Sequence, residues 1–301
     1  MEKIFVVGAG LMGSGIAQTA IQSGYKVVLN DQRQEALERA KMGIENRLDR
    51  IVSRGAMTME EKKDCMSRLV IDARLSAAKD ADLVIEAIFE DLYAKKNVFE
   101  GLEKVCGAHA IFASNTSSIS LTALAAATKR PERVVGMHFF SPVPKMKLVE
   151  VVFGLRTAQD VLEDIKEVGK RMGKTMILAK DKPGFIVNRA LLPMLNEAVE
   201  ILDEDIGSVE DVDNGMKMGC NHPMGPLELA DMIGLDILLQ VMQVFYEDLG
   251  DTKYRPAHLL RKMVTAGYLG RKSGAGFYLY ENGKCMGTNP VLTRQHSLGA
   301  E

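Results

Sequence analysis

A glycine pattern near the N-terminus constrains the fold of this chain more than any other feature. An apolar run over residues 4–7 leads directly into Gly8-Ala9-Gly10-Leu11-Met12-Gly13, where a helical pattern begins. Gly8 permits a tight turn, Gly10 lets backbone amides approach a pyrophosphate, and Gly13 lets the helix pack closely on the strand. The helix N-terminus adds unpaired N–H donors and a partial positive charge. A glycine-rich turn can be purely structural, but between a strand and a helix it indicates a dinucleotide site.

A carboxylate supports the dinucleotide interpretation. Asp31 ends the second predicted strand, residues 25–31, where it can accept hydrogen bonds from the adenine-side ribose. A carboxylate at this position disfavours a 2′-phosphate, so we expect NAD rather than NADP as the cofactor. Arg33 is the nearby cation, and we interpret it as a solvated charge on the following helix rather than as a phosphate contact.

Length, charge and cysteine spacing exclude several classes of protein. The 301 residues suffice for two domains. A net charge of -2 gives no global attraction to nucleic acid or to an anionic membrane surface. The N-terminus lacks a signal-like segment, and no apolar run approaches the roughly 20 residues that span a bilayer. The four cysteines lie far apart, without metal-ligand spacing. We expect a cytoplasmic protein with no nucleic-acid partner, no membrane partner and no metal.

The first 180 residues alternate short apolar runs with amphipathic segments, which is typical of β-α units around a mostly parallel sheet. The predicted strands span residues 3–7, 25–31, 82–87, 110–113, 134–139, 147–153 and 175–180. Residues 33–67 depart from this rhythm with two consecutive helical patterns, and Thr58 and Glu61 supply a capping box for the second. We predict a Rossmann-type, doubly wound α/β domain with an inserted helical hairpin over residues 1–182.

The pattern changes after residue 182, where the strand patterns stop and long helical patterns follow. We predict an all-α C-terminal domain over residues 183–282, with substrate and dimerisation roles. The apolar stretch 227–245 suggests a homodimer interface, although an internal core would look similar. Because the chain turns polar and loses periodicity beyond about residue 281, we predict a loose tail over 283–301.

One histidine and one glutamate have the placement that acid–base chemistry requires. His138 stands near the end of the strand 134–139, and Glu150 lies on the next strand. If the two strands fold back around residue 144, the two side chains face each other. A carboxylate opposite an imidazole fixes its tautomer and stabilises the imidazolium formed when it takes a proton. A lone histidine at a strand end is more often structural, but the paired glutamate favours a catalytic dyad.

Further segments resemble the 3-hydroxyacyl-CoA dehydrogenase family. They are EAIFE at 86–90, SNTSS at 114–118, GMHFFSPVP at 136–144, PGFIVNR at 183–189 and HPMGP at 222–226. With the glycine turn, the likeness covers nearly the whole chain to Tyr280. The resemblance implies hydride transfer between NAD(H) and short-chain 3-hydroxyacyl-CoA and 3-oxoacyl-CoA, such as 3-hydroxybutyryl-CoA and acetoacetyl-CoA. It also implies an acyl-CoA substrate as the main partner.

The resemblance also assigns roles to individual residues. The implied catalytic residues are His138, Glu150, Ser117 and Asn188. The implied cofactor contacts are Gly8, Gly10, Leu11, Met12, Gly13, Asp31, Glu90, Lys95 and Lys272. The implied CoA contacts are Arg47, Arg54 and Ser117, with Arg50 on the same cationic face of the hairpin's first arm. Ser117 could otherwise cap the following helix, and Ser141 departs from the asparagine that the family often has there.

Two other functions remain open on the sequence. A related NAD-dependent dehydrogenase of a free hydroxy acid or sugar acid would share the fold, His138 and Glu150, but would not need the arginines at 47 and 54. A non-catalytic dinucleotide-binding protein would not need His138, Glu150, Ser117 and Asn188 together.

Overall fold

A computed structural model describes residues 1–293 of the chain. It divides into two compact units, Met1–Phe185 and Ile186–Glu301, and we describe each unit by itself. The division falls between residues 185 and 186, whereas the sequence predicted it between 182 and 183.

The first unit is built on one sheet of eight strands. They are β1 (Lys3–Val7), β2 (Lys26–Asn30), β3 (Leu69–Ile71), β4 (Leu83–Glu86), β5 (Ile111–Ser114), β6 (Val134–Phe139), β7 (Leu148–Phe153) and β8 (Thr175–Lys180). Their order across the sheet is β3-β2-β1-β4-β5-β6-β7-β8. Neighbouring strands are parallel except β6 and β7, which are antiparallel. All seven predicted strands are present, and β3 was not predicted.

Helices cover both faces of this sheet. They are α1 (Leu11–Gln22), α2 (Gln34–Ser53), α3 (Met59–Ser67), α4 (Leu92–Glu103), α5 (Leu121–Ala125) and α6 (Gln159–Arg171). The alternation of β1 shows how the layers form, because Ile4 and Val6 belong to one apolar cluster and Phe5 and Val7 to the other. A doubly wound domain is thereby confirmed.

The inserted hairpin consists of α2 and α3. The predicted stripe of α2 is buried at Leu37, Ile44 and Leu48, so this arm packs on the domain. The predicted capping box begins α3: the Thr58 hydroxyl accepts from the Glu61 N–H at 3.1 Å, and the Glu61 carboxylate accepts from the Thr58 N–H at 2.7 Å.

The second unit is mainly helical, as predicted. Its helices are α7 (Val187–Asp203), α8 (Val209–Gly219), α9 (Pro226–Ile233), α10 (Leu235–Leu249), α11 (His258–Thr265) and α12 (Pro290–Thr293). A short antiparallel pair, β9 (Tyr278–Glu281) and β10 (Lys284–Thr288), was not predicted.

The prediction of a loose tail over residues 283–301 is wrong for residues 283–293. The chain there forms β10 and α12, and Asn289 and Leu292 are buried. The fold holds this segment through backbone pairing with β9 and through the Asn289 side chain, which donates to the Gly276 carbonyl at 2.8 Å. Since β10 is exposed over most of its length, it carries no apolar alternation that a sequence pattern could detect. Residues 294–301 of the predicted tail lie outside the described residues.

The apolar stretch 227–245 supplies core to the second unit. Leu227, Leu235, Leu238, Met242 and Phe245 are all fully buried there, which fits the internal-core alternative. Within residues 1–293, no single helix is long and apolar enough to cross a membrane, and only α9 with α10, bent by 95°, would pass that test as a pair.

The turn between β6 and β7 is fastened to the first unit at two places. Val143 is 2% exposed and lies against α1 at Gly15. The Lys174 ammonium donates to the carbonyls of Val143 and Met146 at 2.6 and 2.7 Å. These contacts fix the hairpin that carries His138.

Replacing Gly15 by alanine tests the contact with α1. An added Cβ would come within 2.9 Å of the Val143 Cβ, so we expect Gly15→Ala to lower the free energy of unfolding by about 1–3 kcal/mol. The control is Gly43→Ala in α2, where an added Cβ meets only the Arg47 side chain at 3.4 Å. That substitution should be neutral or stabilising by up to about 1 kcal/mol. Urea unfolding of both variants measures the difference, and equal stabilities would contradict the close packing.

Candidate active site

The antiparallel register of β6 and β7 pairs His138 directly with Glu150. The His138 Nδ1 lies 2.7 Å from the Glu150 Oε2, and the two residues are 7% and 0% exposed. A carboxylate can only accept, so Nδ1 carries the proton and Nε2 is the atom left for proton exchange. The predicted fold-back around residue 144 is confirmed, while the catalytic role of the pair stays a prediction.

Aromatic rings surround the imidazole. The ring centroid of His138 is 4.6 Å from that of Phe140 and 5.7 Å from that of Phe185. Burial beside apolar rings strengthens the interaction of the imidazole with the Glu150 carboxylate, because little water screens it. The arrangement can hold a proton on Nε2 and deliver it to a bound oxygen.

A second buried ion pair joins the end of β4 to α4. The Lys95 ammonium is 2.7 Å from the Glu86 carboxylate, and these residues are 1% and 0% exposed. Glu86 also accepts from the Ile88 N–H at 2.7 Å and from the Ser114 hydroxyl at 2.6 Å. Sequence reasoning predicted Lys95 as a cofactor contact but gave Glu86 no role. A glutamate ending an otherwise apolar strand was the signal that could have singled it out.

Glu90 connects this ion pair to the loop after β5. Its carboxylate lies 3.3 Å from the Lys95 ammonium and accepts from the backbone N–H groups of Ser117 and Ser118 at 2.9 and 3.2 Å. Burial opposes ionisation, but the charge of Lys95 and the hydrogen bonds from Thr116 and Ser117 hold the pKa of Glu90 below its ordinary value. Glu90 is therefore a persistent negative charge beside Ser117.

The cap at the start of α5 belongs to another serine. Ser120 accepts from the Ala123 N–H at 3.3 Å and begins the helix, so the alternative role of Ser117 as the helix cap is wrong. Ser117 stands instead in the loop held by Glu90, three residues after the end of β5.

The glycine turn fits a dinucleotide. Gly8 has φ +101°, and a Cβ there would approach the Ala87 carbonyl oxygen to 2.6 Å. A Cβ on Gly13 would lie 1.8 Å from the Gly8 carbonyl oxygen, whereas one on Gly10 would meet nothing within 4 Å. Gly10 begins α1 without a side-chain cap, so the N–H groups of Leu11 and Met12 open the helix toward free space, as pyrophosphate binding requires.

Asp31 is held beside this turn. Its carboxylate accepts from the Ala9 N–H and from the Arg33 N–H, both at 3.0 Å. Gly10 and Asp31 line one open cavity of about 770 Å³. The Arg33 side chain is 74% exposed, in agreement with its interpretation as a solvated charge. Backbone amides and an acceptor thus face the same cavity, which suits a pyrophosphate and a ribose.

The arginines of α2 do not form one solvated face. Arg47 is half-buried and donates from Nε to the Gln18 side chain of α1 at 2.5 Å. Burial, together with the nearby charge of Arg50, lowers the pKa of Arg47. Arg50 and Arg54 are exposed, and Arg54 stands at the end of the helix. The cationic face predicted for CoA is therefore divided, since Arg47 turns toward α1.

The remaining predicted residues lie in the second unit. Asn188 stands in the first turn of α7. The Lys272 ammonium forms an ion pair with Asp236 at 2.5 Å within the same unit. Their contacts with substrate and cofactor stay predictions. Over residues 1–293 no group of three or more metal-ligating side chains is assembled.

Comparison with known proteins identifies the family of this chain. Two family models match, "3-hydroxyacyl-CoA dehydrogenase, NAD binding domain" over residues 3–182 and "3-hydroxyacyl-CoA dehydrogenase, C-terminal domain" over 184–280. The 3-hydroxybutyryl-CoA dehydrogenase of Bradyrhizobium diazoefficiens is 49% identical over 98% of this chain and 99% of its own length. That of Clostridioides difficile is 45% identical over 92% of this chain and 99% of its own length.

A solved structure agrees as well. The (S)-3-hydroxybutyryl-CoA dehydrogenase of Ralstonia eutropha superposes with a TM-score of 0.92 at 45% identity and covers 94% of this chain and 100% of its own. The predicted fold class and NAD as the cofactor are confirmed by these matches. The chain belongs to the 3-hydroxyacyl-CoA dehydrogenase family.

Proposed function

We propose that this protein transfers a hydride reversibly between NAD(H) and short-chain 3-hydroxyacyl-CoA and 3-oxoacyl-CoA, with 3-hydroxybutyryl-CoA and acetoacetyl-CoA as its principal pair. The observation that carries the proposal is the buried contact of 2.7 Å between His138 and Glu150, in the same sheet as the glycine turn. The names of the relatives support the choice of substrate.

The protein's part in the reaction is proton transfer. In the oxidative direction His138 accepts the proton of the 3-hydroxyl group at Nε2, and in the reductive direction it returns that proton to the 3-oxo oxygen. Glu150 keeps the proton on Nδ1 and stabilises the imidazolium. NAD supplies the hydride acceptor when it is bound. The hydroxyl of Ser117 polarises the reacting oxygen in this proposal.

The CoA end of the substrate is assigned to α2. Arg54 is exposed at the end of the helix, where its guanidinium can reach a phosphate. Arg47 is fixed by Gln18, and its buried Nη2 lacks a hydrogen-bond partner among the described residues. A phosphate oxygen would satisfy that buried donor, which otherwise costs free energy.

Removing the imidazole tests the proton transfer. We expect His138→Gln to lower kcat with acetoacetyl-CoA and NADH by about 10²- to 10⁴-fold, because general acid catalysis is lost. Glu150→Gln should lower kcat less, since the imidazole remains without its charged partner. Steady-state NADH oxidation measures kcat, and fluorescence titration should give a nearly unchanged Kd for NADH in both variants. If His138→Gln kept near-full turnover, His138 would not be the acid–base group.

Removing Arg54 tests the CoA contact. We expect Arg54→Ala to raise KM for acetoacetyl-CoA by about tenfold while KM for NADH stays the same, because one charge-assisted hydrogen bond to phosphate is lost. Arg39→Ala, exposed on the same helix, is the matched control. Turnover of free acetoacetate at a similar rate by the unaltered protein would favour a free hydroxy acid dehydrogenase, and no turnover of either substrate would favour a binding protein.

We also propose that the protein is a homodimer. Met232 on α9 and Ile237 on α10 expose 48% and 44% of their surface, and a second copy would cover such apolar side chains. Light scattering should then give twice the chain mass of 33.0 kDa. A mass of 33.0 kDa at micromolar concentration would contradict this proposal.

A further inference from the structure

Three charged side chains form a continuous ion chain at the carboxyl edge of the sheet. Lys95 lies between Glu86 at 2.7 Å and Glu90 at 3.3 Å. Their formal charges are -1, +1 and -1, which sum to -1. Within residues 1–293 no other cation lies within 4.0 Å of either carboxylate. The ion chain of Glu86, Lys95 and Glu90 thus carries one uncompensated negative charge.

The contacts decide where that charge resides. Glu86 is fully buried, and its two oxygens accept from Lys95, from the Ile88 N–H and from the Ser114 hydroxyl. Lys95 is buried with it, so the charge of the ammonium is compensated inside the protein. Glu90 keeps 31% of its side chain exposed. The uncompensated charge therefore faces outward at Glu90, because Glu86 already neutralises Lys95.

The topology places this charge on one half of the dinucleotide site. Glu86 ends β4 and Ser114 ends β5, next to β6 with His138. Asp31 follows β2, on the opposite side of the glycine turn after β1. A dinucleotide crosses the carboxyl ends of such a sheet with its adenosine on the side of the acidic residue and its pyrophosphate at the turn. Its other half, the nicotinamide, falls on the side of β4, β5 and β6.

We propose that the ion chain of Glu86, Lys95 and Glu90 makes the protein bind oxidised NAD more tightly, relative to NADH, than it would without this charge. The oxidised nicotinamide ring carries a positive charge, and the reduced ring is neutral. A fixed negative charge nearby attracts only the first form, whereas every other contact is common to both. Glu86 acts here as a positioning residue, because it neutralises Lys95 and so leaves the negative charge of Glu90 uncompensated. This inference rests on the NAD site of the proposed function.

Glu86→Gln is the main test, because it removes one charge and keeps the shape and most hydrogen bonds of the side chain. We expect the ratio of Kd for NAD⁺ to Kd for NADH to rise by about three- to tenfold, as one unit charge at a distance of roughly 10 Å in a partly solvated site predicts. Calorimetric titration of the full chain with each nucleotide at one ionic strength measures the ratio without any turnover.

Two controls separate charge from structure. Ser114→Ala removes a hydrogen bond to Glu86 and leaves all charges in place. Glu132→Gln removes one exposed negative charge just before β6, at the amino end of that strand and away from the carboxyl ends where the ion chain lies. Both should leave the ratio within about twofold of its original value, since charge–charge interactions weaken with distance and screening.

An equal weakening of both nucleotides by Glu86→Gln would overturn the inference and leave Glu86 a structural residue. If that variant does not fold, Glu90→Gln removes the same formal charge at the exposed end and must raise the ratio likewise; an unchanged ratio overturns the inference. A protein that binds both nucleotides but does not reduce acetoacetyl-CoA would contradict the proposed function. The ratio of Kd for NAD⁺ to Kd for NADH could still be measured in that case.

Discussion

The antiparallel pairing of β7 with β6 is the contact on which the arrangement of the site depends. In a fully parallel sheet the chain would return through a crossover to the start of β6 before forming the next strand. The residues of that strand would then not pair with His138 in this register. The direct hairpin brings Glu150 back opposite His138. Burying a carboxylate away from water costs free energy unless a partner compensates its charge. The imidazole of His138 is that partner for the buried Glu150. The contacts of Val143 and Lys174 then fix the hairpin to the rest of the unit.

Buried carboxylates occur in both units, but their surroundings differ. Asp231 in the second unit accepts from the Phe277 and Tyr278 N–H groups and from the Tyr280 hydroxyl, and it forms no salt bridge with a cation among residues 1–293. Burial raises the pKa of Asp231 to about 6 despite these donors. Glu90 keeps 31% of its side chain exposed, and the charge of Lys95 together with hydrogen bonds lowers its pKa despite partial burial. Neutral donors therefore hold Asp231 against residues 277–280 without offsetting the effect of burial on its pKa, whereas the cation beside Glu90 helps to keep that carboxylate ionised.

The sequence predicted the parts of the structure that follow a local period. The seven predicted strands alternate or run apolar over four or more residues, and the α2 stripe repeats at helical spacing. β3 was missed because three residues are too few for a period. The pair of β9 and β10 was missed because β10 is exposed and has no apolar alternation, although β9 buries Tyr278 and Tyr280 and the Asn282-Gly283 turn between the two strands is a hairpin signal. The contact of His138 with Glu150 was predicted because two residues symmetric about a turn must face each other.

Side-chain networks that join distant segments were not predictable in the same way. Glu86 reaches Lys95 on α4 and Ser114 on β5, and nothing local to residue 86 indicates either partner. Similarly, Arg47 turns toward Gln18 because the α1 surface offers an acceptor, whereas helical spacing alone suggested a solvated face. The partner is set by the helix or strand that lies alongside, which sequence spacing does not specify.

The short segment over residues 86–90 joins these networks to the glycine turn. Ala87 donates its N–H to the Val7 carbonyl at 2.7 Å, and its own carbonyl oxygen lies 2.6 Å from where a Cβ on Gly8 would be. The Glu86 carbonyl accepts from the Asn115 N–H at 2.8 Å. The dinucleotide turn, the ion chain and the loop that carries Ser117 are thus bonded to one another through five consecutive residues. A side chain larger than glycine at position 8 would displace the same backbone that aims Glu90, so the geometry of the glycine turn and that of Glu90 depend on each other.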